Sequence, residues 1–205
     1  IKERHIIINH KPNPKVSKIV MICGVDEAGR GPLAGPVFAA AVILDPNNKI
    51  NGLMDSKKLN SQKLAELHII IMRNAVEVSV ASASVLEIDE INILQASLLA
   101  MKRAINQLKL KPKNVIIDGL YCPEINDMKM QAIVKGDSKH DEISAASIIA
   151  KVERDQFMLE LDKKFPKYQF KKHKGYPTKE HLRLIMEHGV CEEHRKTFKP
   201  ISTLI

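Results

Sequence analysis

The stretch GVDEAGRGPLAGPV at residues 24–37 is flanked by two apolar runs, which predict strands over 19–26 and 36–44. The second run is apolar throughout, as is typical of a central strand that is covered on both faces of its sheet. A glycine-rich turn joins the two predicted strands. Asp26 and Glu27 stand where the first strand ends, so we expect carboxylates at that edge of the sheet.

The residue types around this turn suit metal and phosphate ligands. Carboxylate oxygens such as those of Asp26 and Glu27 are preferred ligands of Mg²⁺ and Mn²⁺. Gly29 and Gly31 have no Cβ, so the backbone of the turn can approach a ligand closely. The Arg30 side chain and free backbone N–H groups suit phosphate. Together these groups indicate phosphodiester chemistry.

The composition indicates a soluble globular protein of one domain. The 205 residues are 44% apolar and 27% charged, and no apolar run is long enough to span a bilayer. No secretory leader is recognisable, so we expect a cytoplasmic protein without a membrane partner. The cysteines Cys23, Cys122 and Cys191 are widely spaced, which favours reduced thiols over a disulfide scaffold or a zinc ribbon.

Positive charge is concentrated near the end of the chain. Residues 163–199 contain eleven Lys and Arg residues against four Glu, a net charge of +7 out of +8 for the whole chain. Such a basic segment, in a protein of pI about 9.3, is typical of nucleic-acid binding. Taken alone, the segment is equally well interpreted as a solvated lysine-rich face.

Three further strands are predicted, over 76–80, 114–119 and 131–134. Apolar spacing and capping residues predict four helices. They cover residues 61–73 with Asn60 or Ser61 as the cap, about 92–109, Ser144 to about Leu161, and 178–188 with Thr178 at the start. We therefore expect an α/β fold with a mixed five-stranded sheet. In this interpretation residues 1–18 are an N-terminal extension, 19–162 the main domain, and 163–205 a basic helical region packed on it.

Acidic residues follow three of the predicted strands: Asp26 with Glu27, Asp118, and Asp137. Each acid alone is most simply a solvated turn residue. In an open α/β sheet, ligand sites lie at the carboxyl ends of neighbouring strands, so these acids could converge. Four carboxylates held together repel one another and are tolerable mainly when cations bridge them. Two divalent ions about 3.5–4 Å apart would stabilise both oxygens of a phosphoryl displacement.

The glycine turn does not match the common nucleotide-binding loops. Gly24 and Gly29 have the first spacing of a Walker A loop, but the Lys and the Ser or Thr that hold phosphate and Mg²⁺ are missing. Gly29, Gly31 and Gly35 miss the dinucleotide-binding spacing by one residue. A nucleoside triphosphate or NAD site is therefore disfavoured.

Seven motifs, in order, make the chain resemble the bacterial ribonuclease HII family over residues 22–200. They are GVDEAGRGP at 24–32, DSKKL at 55–59, IDG at 117–119, KGDSK at 135–139, ISAASIIAKVxRD at 143–155, KGYPT at 174–178 and HR at 194–195. The sibling type HIII usually has a different turn after Asp-Glu and a sizeable extra N-terminal domain. This sequence keeps the Gly-Arg-Gly turn after Asp26 and Glu27, so type HII is the better match.

The resemblance implies a ribonuclease H-like fold, and it assigns roles to the matching residues. Four acidic positions, which would bind two Mg²⁺ or Mn²⁺ ions, are matched by Asp26, Glu27, Asp118 and Asp137. The backbone that would contact the 2′-OH of a ribonucleotide is matched by Gly29, Arg30 and Gly31. Tyr176 would stack on the sugar of the following deoxynucleotide. Phosphate-contacting positions are matched by Ser56, Lys57, Ser147 and Lys151.

The same resemblance implies an endonuclease that hydrolyses the RNA strand of RNA–DNA hybrids and cuts on the 5′ side of single ribonucleotides in duplex DNA. Its products would be a 5′-phosphate and a 3′-hydroxyl, and it would act as a monomer in DNA replication and ribonucleotide excision repair. The alternative is a non-catalytic protein that binds hybrids or junctions and whose acids are structural. None of the four acidic positions is missing, which favours the enzyme.

Other chemically suggestive residues have structural interpretations. Asp141 and Glu142 are expected to stabilise a helix start, and Asp155 to cap its helix or to pair within it. Phe157, Leu161 and Phe165 are expected to form helix core. No tetrahedral zinc spacing fits the remaining candidates, which are His173, His181, His188, His194 and Cys191.

Overall fold

Five strands form one mixed sheet in the computed structural model, which describes residues 21–53 and 59–204. The strands are β1 Ile22–Ala28, β2 Val37–Ile43, β3 Glu77–Ala83, β4 Asn114–Asp118 and β5 Lys129–Ile133, in the spatial order β3-β2-β1-β4-β5. β1, β2 and β3 pair antiparallel, whereas β4 is parallel to β1 and β5 is parallel to β4. The predicted mixed five-stranded sheet is confirmed. The N-terminal extension and the first two residues of the first predicted strand lie outside the described residues.

Helices cover both faces of this sheet. They are α1 Ser61–Asn74, α2 Val85–Gln107, α3 Asp141–Lys164, α4 Phe170–His173 and α5 Lys179–His188. α2 packs on one face of the sheet, and α1 and α3 pack on the other. In the part of the chain that the structure describes, no helix has the length and apolar character needed to cross a membrane.

β2 is the strand that is covered on both faces, as its apolar sequence predicts. All seven of its residues are buried. Phe38, Ala40 and Val42 pack into the core beneath α1 and α3, whereas the alternate residues Ala39 and Ala41 pack into the core beneath α2. A strand of period two with two buried faces must be apolar at every position, and this strand is.

Two of the predicted helix caps are confirmed. The Asn60 side chain accepts a hydrogen bond from the backbone N–H of Lys63 at 2.9 Å, at the start of α1. The Thr178 hydroxyl accepts one from the backbone N–H of His181 at 3.2 Å, at the start of α5. These side chains satisfy N–H groups that have no partner within their helices.

The prediction that α2 begins near residue 92 was wrong. α2 begins at Val85, where Ser84 and Glu87 form a capping box. Asn92 interrupts the helix with a φ of 65°, and its side chain accepts a hydrogen bond from Leu94 N–H at 2.9 Å. The apolar spacing reported only the second part of the helix, because the kink shifts the phase of the first part.

Ser144 was wrongly predicted to cap α3, which begins three residues earlier at Asp141. The Ser144 hydroxyl instead donates a hydrogen bond to the carbonyl of Leu53, so it is buried between α3 and a distant loop. β1 also continues two residues beyond its predicted end, to Ala28. The short helix α4 was not predicted, since four residues are too few to show a period.

Gly24→Ala is expected to destabilise the fold by about 3 kcal/mol, because overpacked sites rarely adapt without backbone shifts. A methyl group there would overlap the backbone carbonyl of Glu142, where β1 meets the start of α3. Gly52→Ala is the matched control, since no atom of the described residues lies within 4 Å of a Cβ at that position. Because the backbone of Gly52 has a φ of +87°, which is strained for alanine, we expect Gly52→Ala to lose about 1 kcal/mol of stability. Equal losses in urea unfolding would contradict the close packing of β1 on α3.

Candidate active site

Asp26 and Glu27 are placed by β1, which lies between β2 and β4 in the middle of the sheet. Asp26 is opposite Ala40 and Glu27 is opposite Ala39 in the antiparallel ladder. Only 5% of Asp26 is exposed, and its Oδ1 accepts a hydrogen bond from the Glu27 backbone N–H at 2.7 Å. The sheet therefore holds one carboxylate almost buried, with a second beside it.

Asp118 joins this pair because β4 runs parallel to β1. Val25 is paired with Ile117 in the register, so Asp26 and Asp118 occupy the next positions on the two strands. Burial is the main cause that raises the pKa of Asp26 and of Glu27, and the negative charge of Asp118 raises both further, as expected for neighbouring carboxylates. The strand pairing thus brings together acids that are far apart in sequence.

Asp137 reaches the same edge through the 3₁₀ turn Gly136–Ser138, which lies between β5 and α3. The backbone N–H of Gly136 donates to Asp118 Oδ1 at 2.6 Å, and only 4% of Asp137 is exposed. A Cβ on Gly136 would lie 2.6 Å from Ile143 Cδ1, so the turn is packed tightly. All four predicted acids therefore lie at one edge of the sheet. Below, Asp26, Glu27, Asp118 and Asp137 are called the carboxylate cluster.

Two members of the carboxylate cluster, Asp26 and Glu27, have a raised pKa. Burial raises the pKa of Asp26 well above its ordinary value, the charge of Glu27 raises it further, and a hydrogen bond from Ser147 opposes both. Burial also raises the pKa of Glu27, against the opposing effect of Arg30, whose Nη1 lies 3.6 Å from Glu27 Oε1. Burial and the charges of neighbouring carboxylates therefore both disfavour the ionised forms of Asp26 and Glu27.

The donor chemistry of the cluster fits a hard divalent cation, since it offers only carboxylate oxygens. A cation would also relieve the repulsion that raises the pKa of Asp26 and Glu27. Across residues 21–53 and 59–204, no three His, Cys, Asp or Glu side chains stand in an arrangement that would hold a metal ion.

Two predicted phosphate contacts lie on α3, beside the carboxylate cluster. The Ser147 side chain is hydrogen bonded to Asp26. One helical turn further, Lys151 Nζ donates to Asp155 Oδ1 at 2.7 Å, which confirms that Asp155 pairs within its helix. The other two predicted phosphate contacts, Ser56 and Lys57, lie outside the described residues. All four stay predictions.

The structural interpretations of two residue groups are confirmed. Asp141 and Glu142 lie in the first turn of α3, where negative charge is favourable to the helix dipole. The aromatic and aliphatic residues of the same helix face pack into the core together: Phe157, Leu161 and Phe165. Neither group points to a ligand site.

The glycine turn, residues 29–31, and Tyr176 are neighbours at the same edge. Gly29 has a φ of +99°, and a Cβ there would overlap the Arg154 guanidinium, so only glycine fits. A Cβ on Gly31 would lie 3.8 Å from Tyr176 Cε1. Tyr176 is 40% exposed, although it is large and aromatic. The sequence predicted both features from separate motifs, and the fold places them side by side.

Buried Arg195 holds the glycine turn and buried Arg154 holds the chain just after it, and the sequence pattern predicted a role for neither. Arg195 has no solvent exposure, and its guanidinium donates to the carbonyls of Gly29 at 2.6 Å and Arg30 at 3.0 Å. Arg154 is 1% exposed and donates to the carbonyls of Ala34 at 3.1 Å and Lys174 at 3.0 Å. Burial lowers the pKa of both guanidinium groups, to about 9 and about 10 respectively. Both arginines lie in motifs that carry the family resemblance, and this position is the sequence signal that could have indicated a role for them.

Part of the positive charge of residues 163–199 is already compensated. Arg195 is buried, while Lys164 pairs with Glu192 at 2.7 Å and Arg183 pairs with Glu187 at 2.6 Å. Fewer than the eleven Lys and Arg side chains of this segment are therefore both exposed and unpaired. The same segment contacts the chain after the glycine turn, because the backbone N–H of Leu33 donates to the Gly175 carbonyl at 2.8 Å.

Asp26→Asn is expected to raise the free energy of unfolding of the metal-free protein at neutral pH. The pKa of Asp26 is raised on folding, so stability falls as the pH rises from about 4 through the raised pKa. Asparagine does not ionise, so the gain should vanish near pH 4 and be largest at neutral pH. Thermal unfolding in EDTA measures it, and each 1 kcal/mol raises the Tm by about 2–4 °C in a chain of this size.

Asp141→Asn is the matched control for this measurement. It removes a carboxylate from the first turn of α3, where the helix dipole favours negative charge, and should lower stability by about 0.5 kcal/mol. An Asp26→Asn variant that is less stable than the wild type in EDTA at neutral pH would show that Asp26 is not under electrostatic strain.

Comparisons with known proteins agree with this arrangement. The family model described as Ribonuclease HII matches residues 23–201. The chain is 55% identical to ribonuclease HII of Acinetobacter baylyi, over 88% of this chain and 96% of that protein. It is 59% identical to ribonuclease HII of Vibrio parahaemolyticus, over 88% of this chain and 85% of that protein.

A solved structure shows the same fold. The ribonuclease H2 of Pyrococcus horikoshii superposes with a TM-score of 0.76 at 26% identity, over 90% of this chain and 96% of that one. The predicted fold class is therefore confirmed. The predicted enzyme class, a hydrolase that acts on RNA–DNA hybrids, is confirmed as well. Dependence on a metal ion is general in this family. With its family model, its relatives and its fold in agreement, the chain belongs to the ribonuclease HII family.

Proposed function

We propose that this enzyme cuts on the 5′ side of single ribonucleotides in duplex DNA as well as within RNA–DNA hybrids, using two Mg²⁺ or Mn²⁺ ions. The observation that carries the proposal is the position of the glycine turn and Tyr176 beside the carboxylate cluster. One half of this edge suits recognition of a ribonucleotide, and the other half suits hydrolysis of the adjoining phosphodiester. Such an activity would serve DNA replication and ribonucleotide excision repair. The enzyme would act as a monomer in the cytoplasm.

The carboxylate cluster would hold the two ions through Asp26, Glu27, Asp118 and Asp137. When bound, the ions would supply an activated water and stabilise the developing charge at the phosphorus. The chain contributes positioning: the 2.6 Å hydrogen bond from Gly136 fixes one oxygen of Asp118, and Ser147 contacts Asp26. These contacts leave other carboxylate oxygens available to a cation.

The glycine turn would recognise the 2′-OH of the ribonucleotide through its backbone. Arg195 already occupies the carbonyls of Gly29 and Arg30, so the backbone N–H groups are the favoured contact for the hydroxyl oxygen. The absence of Cβ atoms at Gly29 and Gly31 allows the sugar to approach. A 2′-OH is the group that distinguishes RNA from DNA, so contact here gives the required selectivity.

Tyr176 would stack on the sugar of the following deoxynucleotide. Its exposed ring lies next to Gly31, and the Arg154 guanidinium lies 5.9 Å from its centroid on the buried side of the site. A ring held in this position can test whether a deoxyribose follows the ribonucleotide. Ser56, Lys57, Ser147 and Lys151 are proposed to contact the phosphates on either side.

Asp26→Asn is expected to reduce cleavage of a fluorescent duplex with one ribonucleotide by at least about a hundredfold, because bound metal contributes several kcal/mol to such reactions. Binding of an RNA–DNA hybrid, measured by anisotropy, should remain largely intact. EDTA should abolish cleavage by the wild type, and Mn²⁺ should restore it.

The control is Asp141→Asn, which removes a nearby acid that lies in a helix start and should leave cleavage close to that of the wild type. Loss of cleavage and hybrid binding together in Asp26→Asn would mean that Asp26 is mainly structural. Wild-type cleavage that persists in EDTA would contradict the metal-dependent mechanism.

Tyr176→Ala is expected to lower kcat/KM at a single ribonucleotide about tenfold, since aromatic stacking on a nucleotide contributes about 1–3 kcal/mol. Tyr176→Phe keeps the ring and should retain most of the activity. The Tm of both variants should stay near that of the wild type, because the ring is 40% exposed. An unchanged cleavage rate in Tyr176→Ala would remove Tyr176 from the substrate site.

A further inference from the structure

A chain of hydrogen bonds through two buried histidines ends at the backbone of Tyr176. The backbone N–H of Cys191 lies 2.9 Å from His194 Nδ1. The Nε2 atoms of His194 and His181 lie 3.2 Å apart, and His181 Nδ1 lies 3.0 Å from the Tyr176 carbonyl oxygen. Neither imidazole has any solvent exposure.

The geometry fixes the protonation of both rings. A backbone N–H can only donate, so His194 Nδ1 accepts from Cys191, and the proton of the neutral ring lies on Nε2. That proton is donated to His181 Nε2, which leaves the His181 proton on Nδ1, facing the Tyr176 carbonyl. Burial lowers the pKa of both histidines to about 4, so both rings are neutral at neutral pH, as this arrangement requires.

The Tyr176 carbonyl is the C-terminal attachment of the short segment that presents the ring. On the N-terminal side, the carbonyl of Gly175 accepts a hydrogen bond from the Leu33 backbone N–H, and the carbonyl of Lys174 accepts one from the Arg154 guanidinium at 3.0 Å. On the C-terminal side, the Tyr176 carbonyl accepts from the Thr178 backbone N–H at 2.8 Å and from His181. His181 is thus the buried side chain that ties the far end of this segment to α5.

We propose that His181 is a positioning residue, which holds the Tyr176 backbone through its Nδ1–H and is itself kept in the required tautomer by His194. The proposal rests on the proposed role of Tyr176 at the substrate sugar. A ring that stacks on one nucleotide must be held within a fraction of an ångström, so the orientation of its peptide matters to cleavage. His181 does not contact the substrate itself and acts only through Tyr176.

A purely structural role for His181 makes a different prediction. Its ring stacks on His173 with centroids 4.2 Å apart and meets the edge of Phe170 at 5.6 Å. If packing alone mattered, any variant that removes the ring would have the same effect. If the hydrogen bond matters, the effect depends on which ring nitrogen the new side chain replaces.

Two amide variants separate these roles. The asparagine amide reaches the position of Nδ1, so His181→Asn keeps a donor to the Tyr176 carbonyl and loses the contact with His194. The glutamine amide reaches the position of Nε2, so His181→Gln keeps the contact with His194 and loses the donor to Tyr176. Both variants remove the ring, so losses of packing are shared between them.

The position of Tyr176 can be followed without activity, because the chain has three tyrosines and no tryptophan. Protein labelled with 3-fluorotyrosine gives three ¹⁹F resonances, and Tyr176→Phe identifies the resonance of Tyr176. A cooperative thermal transition reports whether each variant is folded. Cleavage of a duplex with a single ribonucleotide is measured on the same samples, with kcat and KM determined separately.

We expect the Tyr176 resonance to shift or broaden in His181→Gln and to stay close to the wild type in His181→Asn. kcat/KM should fall about tenfold in His181→Gln, which corresponds to the loss of one hydrogen bond of about 1.4 kcal/mol. His181→Asn should recover most of that loss. Equal effects of the two variants on the resonance would overturn the proposal.

A shifted resonance in His181→Gln with unchanged cleavage would support the positioning contact and would instead contradict the proposed role of Tyr176 at the sugar. If His181→Gln fails to fold, the His194 pair makes the same test: His194→Gln keeps the donor to His181, and His194→Asn loses it. The Tyr176 resonance should then be altered only in His194→Asn. No alteration in either variant would overturn the proposal.

Discussion

The parallel pairing of β1 with β4 is the constraint on which the rest of the site depends. It sets Asp26 beside Asp118. Together with the antiparallel pairing to β2, it places β1 in the middle of the sheet with a strand on each side. The same burial that makes the fold stable makes the ionised carboxylates unfavourable, as the raised pKa of Asp26 and Glu27 shows. The enzyme therefore keeps an electrostatic strain at the point where its chemistry needs a cation.

The recognition half of the site is held by a different kind of interaction. Arg195 is buried and donates to the carbonyls of Gly29 and Gly35, so it holds the glycine turn against the chain that follows it. Arg154 is also buried and joins Ala34 to Lys174, on the N-terminal side of Tyr176. Charged hydrogen bonds of this type are stronger than neutral ones and fix geometry well. Buried arginines satisfied by the backbone explain how a glycine-rich turn, which is intrinsically permissive, can present one defined surface.

Much of the fold and of the acidic site could be predicted from the sequence, because the responsible signals are local. The apolar run of β2, the caps Asn60 and Thr178, and the acids at strand ends are all of this kind. The roles of Arg195 and Arg154 could not be predicted, since arginines are ordinarily exposed and their partners are backbone atoms distant in sequence. Asn92 and Ser144 were misjudged for a similar reason: a kink and a tertiary hydrogen bond overrode the local pattern.

The most direct measurement of the central claim is a crystal structure with Mn²⁺ and a short DNA duplex that contains one ribonucleotide. We expect two anomalous scattering peaks held by Asp26, Glu27, Asp118 and Asp137, with the 2′-OH against the backbone of the glycine turn. Manganese bound elsewhere, with the carboxylate cluster empty beside a bound duplex, would contradict this expectation.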